Sequence, residues 1–286
     1  MTGWKNCVED FDKGRLFMSD FLKNKITDEI VSFVGKENKI NKMGNIWKDP
    51  IVGFADVWHP YVRRLREIVH ERHQMPEEVI PEASIVIVYF VPFAEWITIS
   101  NKERGLASSE WAQSYEETNA MFSRLNEHIT DFIHKLGYKA AVAPESKVFY
   151  RDEVISRWSF RHFAYAAGIG TFGLNNMLIT DKGCAGRLST VVTDLDIKGG
   201  EPKKEEACLY KRNGSCGLCV MKCPAEALTA EGFDRNRCFE QCLKNASVYN
   251  DFGSSYTSGP EDNIRGSGSE VCGKCIAGLP CTYKTP

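Results

Sequence analysis

The chain of 286 residues has no long apolar run. Its greasiest stretch, SIVIVYFVPF from Ser84 to Phe93, is about half the length that a membrane-spanning helix needs, so no membrane association is expected. It also lacks a surplus of one charge. Lys and Arg number 36 against 38 Asp and Glu, a net charge of −2, and no overall positive field exists to draw in a phosphate backbone. The opening residues MTGWKNCVEDFDKGRLFMSD carry neither a basic stretch before an apolar core nor a twin-arginine pair, which leads to the expectation of a cytoplasmic protein. Cysteine, by contrast, is plentiful, at eleven residues. Structural disulfides are rare in a reducing compartment, so metal or redox chemistry is the first explanation for so many thiols.

Cys7 and Cys184 stand alone, and the other nine cysteines fall between Cys208 and Cys281. This asymmetry divides the chain into a first domain over 1–198 and a cysteine-rich domain over 199–286, with the polar DIKGGEPKKEE around the boundary. In the first domain, Ile85 to Val91 is short, continuous and β-branched, the pattern of a buried strand. Phe122, Leu125, Ile129 and Leu136 recur at helical spacing within 114–136, and Gly137 supplies a stop. A helix is also expected around PYVRRLREIVHERH and another over 159–167. Short strands are expected at KAAVA and KVFYR, and a last one at RLSTVVTDL. The order is mixed, an α+β arrangement without the strict alternation of a doubly wound sheet.

The passage ACLYKRNGSCGLCVMKCPAEAL places Cys208, Cys216, Cys219 and Cys223 in the spacing C-x7-C-x2-C-x3-C, with Pro224 after the last. An iron–sulfur cage needs four converging thiolates, and in two-cluster ferredoxins the cysteine before the proline serves the other cluster. A second motif is therefore required, and Cys238, Cys272, Cys275 and Cys281 supply it. The crossing rule assigns Cys208, Cys216, Cys219 and Cys281 to one [4Fe–4S] cluster and Cys223, Cys238, Cys272 and Cys275 to the other. Cys281 lacks the usual following proline, and Cys242 is an alternative to Cys238. One or two zinc sites are the competing reading of the same pairs. Cys7 and Cys184 are expected to be unligated. Lys211, Arg212, Lys222 and Lys274 near these cysteines read as solvated surface charge, or as charge that tempers the anionic cages.

The stretch AYAAGIGTFGLNNMLIT contains Gly168, Gly170 and Gly173 as G-x-G-x-x-G. A dinucleotide fingerprint has a strand before its glycines and a helix after them, whereas helical composition precedes these and strand composition follows. A nicotinamide site is therefore disfavoured. Two readings remain: the glycines cap a helix and permit a tight connection, or they let a flat, bulky cofactor approach the backbone.

The run WSFRHFAYAAGIGTFGLNNMLITDKGCAGRLSTVVTDL, followed by SCGLCVMKCPAEAL, resembles the epoxyqueuosine reductase and reductive dehalogenase superfamily. The resemblance implies an α+β domain like those of nitroreductases and cobalamin-processing proteins, followed by a bacterial-ferredoxin-like domain with two [4Fe–4S] clusters. It further implies a cobalamin near one cluster, with Gly168, Gly170 and Gly173 lining the corrinoid. Tyr150, Arg151, Arg161 and His162 flank the glycine turn and are the candidate catalytic residues, since a proton donor must lie within hydrogen-bond reach of a substrate. The resulting expectation is a cytoplasmic reductase of a small-molecule substrate, fed by an electron donor of ferredoxin or flavodoxin type. A non-catalytic electron carrier or corrinoid handler is the alternative. The chain ends five residues after Cys281, without the helical-repeat region of the tRNA enzymes, so tRNA is not expected as a partner.

Overall fold

The computed structural model describes residues 3–253, 257–258 and 268–286, and side chains over 17–253 and 268–286. Cys7 and most of the polar loop between 250 and 270 therefore lie outside the described side chains.

The first part of the chain runs α1 (Gly3–Ile40), β1 (Ile51–Asp56), α2 (Pro60–Arg63), α3 (Leu65–Ile68), β2 (Ile85–Pro92), α4 (Glu95–Ser100), α5 (Ser109–Lys135) and β3 (Ala140–Ala141). It continues through β4 (Val148–Phe149), α6 (Phe160–Ala166), β5 (Gly170–Phe172), β6 (Leu178–Thr180) and β7 (Gly186–Thr193). The remainder holds α7 (Leu209–Asn213), α8 (Leu218–Lys222), α9 (Arg235–Val248) and β8 (Thr257–Ser258).

One antiparallel sheet, in the order β1-β2-β7-β3, organises the molecule. All eight residues of β2 are buried, because both faces of the sheet are covered. Ile85, Ile87, Tyr89 and Val91 pack with Ile26 and Ile30 of α1 and with Leu125, Ile129 and Ile133 of α5. Val86, Val88 and Phe90 pack on the other face with Val62, Leu65, Phe163 and Ala164. The result is three layers, helix over sheet over helix. Each fully buried Ile, Val or Leu in them contributes about 1.5–3 kcal/mol.

The strand expected over 85–91 is present, and the amphipathic helix starts earlier than its apolar period shows. Ser108 caps α5 by accepting from Trp111 N–H at 3.1 Å, and Gly137, at φ +88°, turns the chain out of it. The helix expected around PYVRRLREIVHERH is two single turns instead. His59 caps the first, and Arg64 leaves helical geometry at φ −102°, ψ 10°, which lets Val62 and Leu65 both enter the core. KAAVA and KVFYR contribute only two strand residues each.

The stretch around 196–206 holds no helix or strand and lies against the first part. Gly200 N–H donates to the Phe54 carbonyl at 2.7 Å and Lys198 N–H to Ser19 Oγ at 3.1 Å. A Cβ on Gly199 would collide with the Asp56 backbone. Cys208, Val271 and Ile276 belong to the same core cluster as α5, so the cysteine-rich segment is packed into the first part over a shared apolar surface.

Candidate active site and cysteine centres

A large cavity and a group of thiols approach each other where β7 begins. The cavity, of about 770 Å³, opens between α5, α6 and the β5–β6 hairpin at the end of the sheet. Phe90, Trp158 and Phe172 form apolar parts of its wall, and Asn126, Ser159 and Ser189 polar parts. Lys147, Arg161, Arg187 and Arg235 also line it, while none of its described lining residues is an Asp or Glu. This local field is opposite in sign to the whole chain's charge. An anionic occupant fits such a wall.

Of the four candidate catalytic residues, two reach the cavity. Arg161 lines it, with Nη1 donating to the Asn176 carbonyl at 2.5 Å, and its charge also helps to hold Cys238 below the ordinary thiol range. His162 lines it beside Ser159, whose Oγ lies 2.6 Å from Nδ1. Burial first, then the charge of Arg161, lowers His162 to about 4, so the ring is neutral at neutral pH. Tyr150 and Arg151 lie elsewhere. The guanidinium of Arg157 stacks 3.5 Å from the Tyr150 ring centroid, and the phenol faces Glu145, while Arg151 pairs with the buried Glu270 at 2.6 Å. Phe149, the last residue of β4, lines the cavity, and neither Tyr150 nor Arg151 does.

Sequence reasoning missed Tyr61. Its ring lies 4.7 Å from that of Tyr165 and stacks on His162 at 6.2 Å between centroids, at the cavity wall. Burial, then Tyr165, pushes its phenol up to about 12, so it keeps its proton. It also missed Arg187, which stands over the Tyr115 ring at 3.8 Å and donates to Asn119 Oδ1 at 2.8 Å. A cation in an otherwise uncharged strand was the available signal.

The glycines divide. Gly168, at φ +74°, leaves α6, and a Cβ there would strike the Glu201 carbonyl; one on Gly170 would strike the Ile179 carbonyl across the hairpin. Close backbone packing accounts for both, and neither lines the large cavity. Gly173 lies beside a group of thiols.

Cys208, Cys216, Cys219 and Cys281 line one small pocket with Leu174, Ile179 and Leu279. Burial, then Cys281, with Cys208 and Cys216 adding, pushes the Cys219 thiol up to about 11. Burial raises Cys275 well above the ordinary thiol range, and Cys272, Cys238, Cys219 and Cys223 add to it. Burial pushes Cys272 up to about 11, with Cys238 and Cys223 adding. Cys208, Cys216, Cys219 and Cys281 thus share one pocket, while Cys275 feels Cys219 as well as Cys272, Cys238 and Cys223. Cys223 Sγ accepts from Ala227 N–H at 3.3 Å, a bond suited to a thiolate. All ten cysteines with described side chains are free. Among the described residues no three His, Cys, Asp or Glu side chains converge as ligands of one metal ion.

The basic residues near the cysteines are not simply solvated. Lys211 Nζ donates to the Phe172 carbonyl at 2.6 Å, Lys222 to that of Lys102 at 2.8 Å, and the buried Lys274 to that of Asn101 at 3.2 Å. Each ties the cysteine-rich segment to the first part through a carbonyl. Arg212 donates to the Pro286 carbonyl at 3.2 Å.

No family model matches the chain, and no curated protein matches its sequence. Solved structures do. A selenomethionine-labelled epoxyqueuosine reductase aligns over 91% of this chain and 66% of its own, with 17% identity and a TM-score of 0.53. The fold is that of epoxyqueuosine reductase. The enzyme from Bacillus subtilis aligns over 92% of this chain and 66% of its own, with 15% identity and a TM-score of 0.53. The chain thus spans just under two thirds of these epoxyqueuosine reductase chains. A third structure is an epoxyqueuosine reductase with a tRNA-Tyr epoxyqueuosine-modified stem loop, 16% identical over 91% of this chain and 66% of its own, with a TM-score of 0.52. That complex overturns the expectation that tRNA is no partner, since a protein of this fold takes it. Among the described residues no helix is long and apolar enough to cross a membrane.

Proposed function

We propose that this chain is an iron–sulfur reductase. Cys208, Cys216, Cys219 and Cys281 hold one [4Fe–4S] cluster, and Cys223, Cys238, Cys272 and Cys275 hold a second, within a ferredoxin-like module over 199–286. The cationic cavity takes a corrinoid and the reacting part of the substrate. The observation that carries this reading is the gathering of Cys208, Cys216, Cys219 and Cys281 around one small pocket, with Cys272, Cys238 and Cys223 close enough to act on the buried Cys275. Four thiols around one pocket suit a cage.

When bound, the clusters supply single electrons and the corrinoid supplies a reducible cobalt. This chain's residues do the rest. Arg161, Arg187, Arg235 and Lys147 bind anionic groups of the cavity's occupant. Phe90, Phe172 and Trp158 exclude water from its inner wall. Tyr61 retains its phenol proton and stands at the wall as a donor, with the neutral His162 stacked beside it and oriented by Ser159. A substrate with phosphate groups, an epoxyqueuosine-bearing tRNA stem loop among them, suits the cationic lining. A small anionic molecule does so as well.

Anaerobic purification with iron analysis, then a UV–visible titration with cobalamin before and after dithionite, tests the reading. About eight irons per chain and a saturable shift of the corrinoid bands are expected. Reduction of an epoxyqueuosine-modified stem loop or of a small substrate then follows. Eight irons with no corrinoid response would make the chain an electron carrier instead.

A further inference from the structure

Each set of four thiols has one further cysteine against it. Cys184 Sγ lies 3.8 Å from Cys281 Sγ, with Cys184 as donor, and Cys242 shares a side-chain hydrogen bond with Cys238. Cys281 and Cys238 each stand outside the C-x2-C turn of the set assigned to them. Neither contact is a disulfide.

The backbone locks Cys184 in place. Its N–H donates to the Cys281 carbonyl at 2.9 Å, and Ala185 N–H to that of Thr282 at 3.2 Å, so residues 184–185 and 281–282 run side by side. Gly183, at φ +81°, is pressed against the Thr282 backbone and leaves no room for a Cβ. Cys184 is also the one cysteine among the described residues that lines the large cavity. Cys184 therefore stands between the wall of the cavity and Cys281 of the nearer thiol set. Cys242 is placed differently, half-buried beside the second set and outside the cavity lining.

We propose that Cys184 is a positioning residue that couples the cavity to the nearer cluster, its S–H donating to the Cys281 thiolate, while Cys242 plays the equivalent part for the second cluster without reaching the cavity. A hydrogen bond to a ligand sulfur takes up part of its negative charge, which favours the reduced and more negative cage and raises its reduction potential. A thiol suits this position because it donates weakly and packs as an apolar group. Occupation of the cavity can then alter the direction of the Cys184 S–H and with it the potential of the nearer cluster alone.

This inference rests on the two-cluster reading, and one set of measurements separates the two. Wild type, Cys184→Ala, Cys184→Ser and Cys242→Ala are purified anaerobically, analysed for iron, and titrated potentiometrically with EPR detection. If wild type fails to hold about eight irons, the cluster reading itself has failed. If it holds them, Cys184→Ala is expected to keep all the iron and to lower the midpoint of one cluster, with Cys184→Ser restoring most of the shift through its hydroxyl. Cys242→Ala is expected to lower the other midpoint. Added cobalamin is expected to move the first midpoint in wild type and to move it less in Cys184→Ala. Midpoints that stay in place in both alanine variants, at full iron content, overturn the proposal. So does loss of half the iron in Cys184→Ala and Cys184→Ser, since Cys184 is then itself a ligand.

Discussion

Arg151 and Glu270 form an ion pair at 2.6 Å with side chains only 12% and 2% exposed. The pair joins the segment after β4 to the residue two before Cys272, and the Arg151 guanidinium also lies 5.8 Å from the ring centroid of Phe239, next to Cys238. A residue that resembled a catalytic cation from its neighbours in sequence thus fastens the cysteine-rich segment from the first part of the chain. Arg151→Met leaves the Glu270 carboxylate buried without its charge partner and is expected to cost about 3–5 kcal/mol in anaerobic urea unfolding. Arg151→Met with Glu270→Leu should cost much less. A double variant as unstable as the single one would show that the pair is not the cause.

Cys219→Ser should halve the iron content and abolish the EPR signal of one cluster, because Cys219 shares its pocket with Cys208, Cys216 and Cys281. Cys272→Ser should remove the other signal. Full iron and an unchanged spectrum in either variant would sink the ligand assignment for that set.

Gly183 has no room for a side chain, and its φ of +81° suits glycine alone. Gly183→Ala is expected to cost at least about 1 kcal/mol and to push the Thr282 backbone aside, carrying Cys281 with it. Iron release to a chelator, followed spectroscopically, should be faster for one cluster and unchanged for the other. Equal release from both would argue against a local effect.

His73 is fully buried, and burial lowers it to about 4. Its Nε2 accepts from Ser159 N–H at 3.0 Å, which requires the neutral ring. The unfolded chain takes up this proton near pH 6.5 and the folded one does not, so stability is complete above about pH 6.5 and falls as the pH drops toward 4. The loss reaches about 3 kcal/mol for this group. Urea midpoints at pH 7.5, 6 and 5 should decline, and His73→Phe should flatten the decline. An identical slope in that variant would remove His73 as the source.

The central strand, the long helix and the last strand were legible because burial on both faces of a sheet requires continuous β-branched runs, and burial of one helix face imposes a period. Tyr61, Arg187 and Cys184 were not. Nothing in the local sequence of Tyr61 or Cys184 differs from that of a scaffold residue, and a lone cation in the last strand was the one signal for Arg187. The helix-turn reading of Gly168 was also available from the sequence, whereas the contact of Gly170 with the Ile179 carbonyl exists only in the hairpin.

The sequence by itself determined where the thiols are concentrated: four cysteines in the run that ends at Pro224 and five after it. Tertiary structure decided the placement. Arg161 and His162 face the cavity while Tyr150 and Arg151 do not, because β4 ends after two residues and the chain then turns toward Glu270. Cys184 meets Cys281 across 97 residues of chain. The charge of the site was decided there as well, since a chain with a net charge of −2 can gather four cations around one cavity and place its carboxylates elsewhere. Spacing constrains neighbours along the chain, and packing alone decides which distant side chains share a wall.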